Sequence, residues 1–133
     1  MLRLVAGLTV LAVLGLAWPS GTARAATDQE QVRAVLDGMN DSYNRFDFDG
    51  FAQHVCTAMR HSAGFEADWY SSRRVDGPTQ ITVRSVSVAG DPASSAVANV
   101  RFEAASHTET LAVDFVREGA QWRACRYHPV ETI

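Results

Sequence analysis

The chain has 133 residues, of which 47% are hydrophobic and 20% charged, and its formal net charge is −3. This length and composition fit one ordinary globular domain and exclude a disordered or low-complexity chain. All 12 basic residues are arginine, and the acidic balance makes nucleic acid a poor partner, because phosphate backbones need a basic face.

Arg3 precedes an apolar run from Leu4 to Trp18, and a polar stretch then ends in Ala23-Arg24-Ala25. A short apolar core followed by a small-x-small site is the pattern of a cleaved secretory signal peptide. A membrane-spanning helix needs about 20 apolar residues, and Pro19, Ser20 and Gly21 break the run first. The expected organisation is a signal peptide over residues 1–25, cleaved between Ala25 and Ala26, and one domain over residues 26–133 with no transmembrane anchor after cleavage. No cysteine stands at the cleavage point to take a lipid. Loss of Arg3 and Arg24 makes the exported part more acidic still. Export also places Cys56 and Cys125 where thiols oxidise, so the two read as one disulfide. Closing so long a loop stabilises a fold by about 4 kcal/mol on the chain-entropy model.

Thr27-Asp28-Gln29-Glu30 is a capping box, with Thr27 as N-cap and Glu30 reaching back to the cap amide. Val32, Val35, Leu36, Met39, Tyr43 and Phe46 follow at helical spacing, which predicts a helix to about Phe46. Asp49 is the expected cap of a second helix, with Phe51, Ala52, Val55 and Met59 forming its apolar face beside Cys56. The acidic pair Asp47 and Asp49 lacks the further oxygen ligands of a calcium loop, so capping is the better account. A third helix is predicted from Phe65 to Arg74, burying Phe65 and Trp69, with Asp76-Gly77-Pro78 as its stop. The basic pair Arg73-Arg74 reads as solvated surface.

From Thr79 the apolar period changes to two. Ile81 and Val83 fall on one face and Val86 and Val88 on the other, so the phase slips and predicts a bulge near Arg84-Ser85. Gly90-Asp91-Pro92 turns the chain into a strand with Ala96, Ala98, Val100 and Phe102 on its buried face. After Ser106-His107, Leu111, Val113 and Phe115 mark a third strand, and Glu118-Gly119-Ala120 leads by a hairpin into a fourth, Gln121 to Tyr127. Helices first and an antiparallel meander second define an α+β fold with the helices on one sheet face.

This order resembles the nuclear-transport-factor-two-like (cystatin-like) superfamily, in which a curved sheet wraps a long N-terminal helix into a cone. The resemblance covers nearly all of the exported part. It is carried by the helix ending Tyr43-Asn44-Arg45-Phe46-Asp47-Phe48-Asp49, by the strand pair Ala96 to Ala104 and Leu111 to Arg117, and by the terminal Glu118-Gly119-Ala120-Gln121-Trp122-Arg123-Ala124-Cys125. Small secreted actinobacterial (mycobacterial-type) members look most similar, sharing a helix cysteine and a cysteine just after the last-strand tryptophan. The superfamily contains both enzymes, of ketosteroid-isomerase-like and polyketide-cyclase-like kinds, and non-catalytic binding modules, and fold alone does not choose between them.

Isomerase-type chemistry needs a carboxylate base and an oxyanion donor on the inner wall. The expected inward positions, Ala98, Val100, Phe102, Leu111, Val113 and Phe115, contain no acid. Asp37 falls on the polar helix face, and Asp114 is out of phase with the apolar strand face. Tyr43 is on the apolar helix face, where its hydroxyl can enter the cone or simply tip a core aromatic. His54, His61, His107 and His128 have no zinc-site spacing, and no nucleophile elbow, phosphate-cradling glycine loop or cofactor motif is present. Trp69-Tyr70 is the one aromatic pair that can rim an opening. These readings favour a secreted, non-catalytic binding module, with Met39, Tyr43, Phe102 and Phe115 as the pocket residues and an apolar small molecule, a lipid or a protein as partner. The alternative is a small isomerase- or cyclase-like enzyme. No catalytic residue, metal site or cofactor is expected on the favoured reading.

N-terminal sequencing of the protein from culture medium or envelope extracts should read Ala26 as its first residue. An intact Met1-to-Trp18 segment in the membrane fraction would show an anchor instead.

Overall fold

The computed structural model describes residues 25–130. The expected signal peptide over residues 1–25, apart from Ala25, lies outside them. Four helices, α1 (Asp28–Asn44), α2 (Phe48–Ala52), α3 (Thr57–Arg60) and α4 (Phe65–Asp76), precede four strands, β1 (Gln80–Ala89), β2 (Ser95–Glu103), β3 (Thr108–Glu118) and β4 (Gln121–Pro129). The strands form one antiparallel meander in the order β1-β2-β3-β4, with α1 packed against β1 and β4. The architecture is therefore the expected α+β fold, helices on a curved antiparallel sheet. No helix among the described residues is long and apolar enough to cross a membrane.

Thr27 caps α1, its hydroxyl oxygen accepting from the Glu30 amide at 3.2 Å. Glu30 returns the contact through the Thr27 hydroxyl, which donates to its carboxylate at 3.1 Å, and not through the cap amide. Asp28 in the first turn accepts from Arg117 at 2.8 Å and from the Trp122 indole at 3.1 Å, which pins the helix start to the β3–β4 hairpin. The core lies between α1 and the sheet, where Val32, Ala98 and Phe115 are 0%, 0% and 1% exposed. Leu36, Val100, Val113, Trp122 and Ala124 complete it.

The helix ends at Asn44, short of the predicted Phe46. Phe46 takes a left-handed φ of 56° and is half-exposed, so it does not belong to the apolar face. The reason is Arg73, which donates from Nε to the Tyr43 carbonyl at 2.8 Å and from its terminal nitrogen to the Asn44 carbonyl at 3.1 Å. Carbonyls at a helix end lack their intrahelical donors; that of Tyr43 also accepts from the Phe46 amide at 3.2 Å, and the guanidinium covers the Phe46 ring at 4.1 Å. Arg73 is buried, which corrects its reading as solvated surface; its neighbour Arg74 is exposed. Asn40 and Asn44, on the polar side of α1, hold Thr79 at the start of β1 through its carbonyl, amide and hydroxyl.

The second helix departs most from expectation. Asp47, not Asp49, is its cap, accepting from the Gly50 amide at 2.9 Å, and a Cβ at Gly50 would collide with the Asp47 carboxylate. The helix also stops at Ala52 and restarts at Thr57. Between these points the Ala124 amide donates to the His54 carbonyl and the Cys56 amide donates to the Ala124 carbonyl, both at 2.8 Å. Pairing with β4 thus consumes backbone groups that a continuous helix needs. The predicted third helix is present and buries Trp69, whereas Tyr70 is half-buried.

Both features of the sheet that re-aim side chains are bulges. The register shift between Val83 and Ser85 is the predicted one, and it puts Ile81, Val83, Val86 and Val88 together against the core. A second shift pairs Phe115 with Ala124 and Asp114 with Arg126, leaving Cys125 without a cross-strand partner. Cys125 is thereby free to meet Cys56, and the two form the expected disulfide with Cα atoms 5.0 Å apart.

Replacing both cysteines by alanine should lower unfolding free energy by about 2–5 kcal/mol in urea titration, the usual cost of losing a native disulfide from a small domain. An unchanged midpoint would show that the pairing of residues 54–56 with β4 is sufficient by itself.

Candidate functional site

Cross-strand partners share a sheet face, so the inner wall can be followed rung by rung from the register. Ala98 pairs with Val113 and Val113 with Tyr127; Val100 pairs with Leu111; Phe102 pairs with Glu109. The rung where β2 ends and β3 begins therefore carries a carboxylate, Glu109, beside Phe102. Three other groups arrive there from separate elements: Tyr43 from the last turn of α1, Asp76 from the end of α4, and His107 from the β2–β3 turn.

The Tyr43 hydroxyl donates to Asp76 Oδ2 at 2.6 Å. His107 Nε2 lies 3.8 Å from Asp76 Oδ1 and 3.9 Å from Glu109 Oε1, and its ring tilts against Phe102 with centroids 5.9 Å apart. An imidazole thus stands between two carboxylates, one of which is already bound to a buried phenol. Burial pushes the Tyr43 phenol far above its ordinary range, and the hydrogen bond to Asp76 and that carboxylate's charge raise it further. The nearby Arg73 opposes this only in part. Tyr43 is consequently a neutral donor at every physiological pH. Asp76 is mostly shielded, whereas His107 and Glu109 are open to solvent. Such a rim can accept hydrogen bonds, attract a cation or take up a proton.

Tyr43 is held from behind as well as in front. Its ring meets Trp69 edge-on at 5.4 Å and Phe51 at 6.2 Å, within an aromatic cluster completed by Phe48, Phe65 and Tyr70. Of the other pocket residues expected from sequence, Phe102 stands at the rim, Phe115 is fully buried in the core, and Met39 packs against that core. Asp37 is exposed, and Asp114 pairs across the sheet with Val97 and Arg126 on the face away from the core. The carboxylate that reaches Tyr43 is Asp76, which sequence reasoning treated only as a helix stop. Glu109 was legible, since the alternation Phe115, Val113, Leu111 continues to it without a break.

No protein-family model matches the chain, and no curated protein is similar to it. Solved structures do resemble it. An NTF-2-like protein of unknown function from Shewanella oneidensis MR-1 superposes with a TM-score of 0.59 at 13% identity, over 74% of this chain and 94% of that one. A SEC-C-motif-containing protein from Rhodopseudomonas palustris gives 0.60 at 16% identity, over 74% and 77%. A Bdellovibrio bacteriovorus protein gives 0.52 at 9% identity, over 77% of this chain and 40% of that one. At such identities the likeness is one of fold, and the fold is the NTF-2-like α+β cone.

Tyr43→Phe should cost about 1–3 kcal/mol, because the mostly buried Asp76 carboxylate loses its donor. The same substitution should flatten the alkaline limb of the stability profile. A phenol raised in the fold contributes stability that is complete below its ordinary value of 10.0 and is lost as pH rises above it. Urea titrations of both proteins between neutral pH and pH 11, about one unit above that value, check both statements.

Proposed function

We propose that the chain is an exported small-molecule-binding protein that seats its ligand at the mouth of the cone. The observation that carries this reading is the convergence of Tyr43, Asp76, His107 and Glu109 beside Phe102, with Tyr43 and Asp76 joined at 2.6 Å. Behind that rim the interior is occupied by Phe115, Val100 and Leu36. A ligand therefore lies across the mouth and does not enter the core. Phe102 and the half-exposed Tyr127 offer it apolar contact, and the carboxylates accept from it, which suits an apolar molecule or lipid carrying a hydroxyl or amine. Export is supported by Ala23-Arg24-Ala25 at the end of the apolar leader and by the disulfide, a bond characteristic of oxidising compartments.

A second reading has a specific observation in its favour. Glu109 continues the inner face of the sheet and Asp76 reaches it from the end of α4, and a neutral tyrosine stands beside Asp76, which is the minimum for proton transfer next to a carbonyl. The chain would then be a small isomerase-like enzyme.

Native mass spectrometry of protein purified from its own host, beside Asp76→Asn, separates the two. The binding reading expects a small-molecule adduct on the wild type that the variant loses. The enzymatic reading expects deuterium from solvent to enter the carbons next to the carbonyl of a cyclic ketone in the presence of wild-type protein only. The absence of both adduct and exchange would remove the mouth as the working site.

A further inference from the structure

About four turns of α1 separate its first residues from the rim at Tyr43, and at the starting end lies a concavity, independent of the proposed ligand site. It is an open groove of about 600 Å³ between the first half of α1, the connection from α2 to α3, and the β3–β4 hairpin. Arg60, Arg123 and His54 line it, together with Gln121 and Trp122, and no carboxylate-bearing residue does. In a chain of net charge −3, so one-sided a lining runs against the overall balance.

The positive groups here are poorly compensated. Among the described residues neither Arg60 nor Arg123 forms a salt bridge. The Nε of Arg123 is shut off from solvent and has no hydrogen-bond acceptor among them. A buried donor on a charged group left in that state costs free energy until an acceptor arrives. Glu118 is near enough to feel both arginines, but its carboxylate accepts from the Thr57 amide at 3.0 Å and from the Thr57 hydroxyl at 3.2 Å. His54 is seated with care: its ring lies so close to α1 that a Cβ at Gly38 would come within 2.6 Å of Nε2. Glycine inside a helix costs about 1 kcal/mol relative to alanine, and here it admits the imidazole. Burial, and after it the charge of Arg123, hold His54 below its ordinary pKa, so the imidazole resists adding a third positive charge to the groove.

We propose that this groove is an anion site, which takes a small carboxylate- or phosphate-bearing molecule between the guanidinium groups of Arg60 and Arg123. Planar guanidinium forks match both head groups through paired N–H donors, the Gln121 amide adds a neutral donor, and the volume lies in the range of small-molecule sites.

The test is a nitrogen-15 NMR titration of the exported protein with inorganic phosphate and, separately, with citrate, at ionic strength held constant with sodium chloride. Saturable shifts of the Arg60 and Arg123 Nε–H signals and of the Gln121 amide, half-complete below about 1 mM, are expected. Saturation by phosphate alone assigns a phosphate-bearing ligand, and saturation by citrate alone a carboxylate. Arg123→Gln should weaken binding by about tenfold or more, whereas Arg126→Gln on the same strand should leave it unchanged. Should Arg123→Gln fail to fold, Arg60→Gln carries the same expectation. Shifts that never saturate, that sodium chloride reproduces, or that persist unaltered in a folded Arg123→Gln or Arg60→Gln protein would overturn the site, with no bearing on the cone mouth.

Discussion

A helix that stops inside a protein leaves its last carbonyls without donors, and α1 stops beneath α4. Arg73 resolves this by donating to the carbonyls of both Tyr43 and Asn44. Burying a guanidinium is costly unless its donors are satisfied; here the helix end supplies both the acceptors and the negative end of the dipole. The consequences reach well beyond one cap. With α1 halted at Asn44, Tyr43 keeps its helical direction and Asn44 turns to Thr79, which starts β1. Three residues further along α4, Asp76 falls on the same side of its helix as Arg73 and accepts from Tyr43. One turn of α4 therefore fixes both the end of the central helix and the polar rim of the cone.

A comparable economy holds at β4. Ala124 uses its amide and carbonyl on residues 54 and 56, as though a short parallel strand lay beside it, and the bulge that follows turns Cys125 toward Cys56. The disulfide does not create this contact. It locks one that the backbone already makes, and the groove containing His54, Arg60 and Arg123 is shaped by the same junction.

What was legible in the sequence follows from what is local. Thr27 and Glu30 announce the start of α1, and the slip between Val83 and Val86 announces the first bulge, because both signals lie within a few residues of their effect. The split between α2 and α3 was hidden. Phe51, Val55 and Met59 satisfy helical spacing perfectly well, and only the distant Ala124 overrides it. Arg73 was misread for the same reason: nothing beside it in sequence reveals that it caps a helix some thirty residues earlier. The candidate site divides along this line too. Glu109 is readable from strand alternation, while the meeting of Tyr43, Asp76 and His107 depends on where three separate elements end.

The two ends of α1 carry opposite chemistry, and the filled core explains why both lie outside it. Val32, Leu36, Phe115 and Val100 leave no room for a ligand along the helix, so polar groups collect where the apolar packing stops. At the mouth these are Asp76, Glu109 and a phenol held neutral; at the start of the helix they are Arg60, Arg123 and an imidazole whose protonation burial disfavours. In each place burial suppresses the ionisation of the aromatic group, which leaves the fixed charges to set the sign of the local field. A mouth lined by acceptors selects molecules with donors, and a groove lined by donors selects anions. If both proposals hold, a single small domain addresses two ligand chemistries without widening its core.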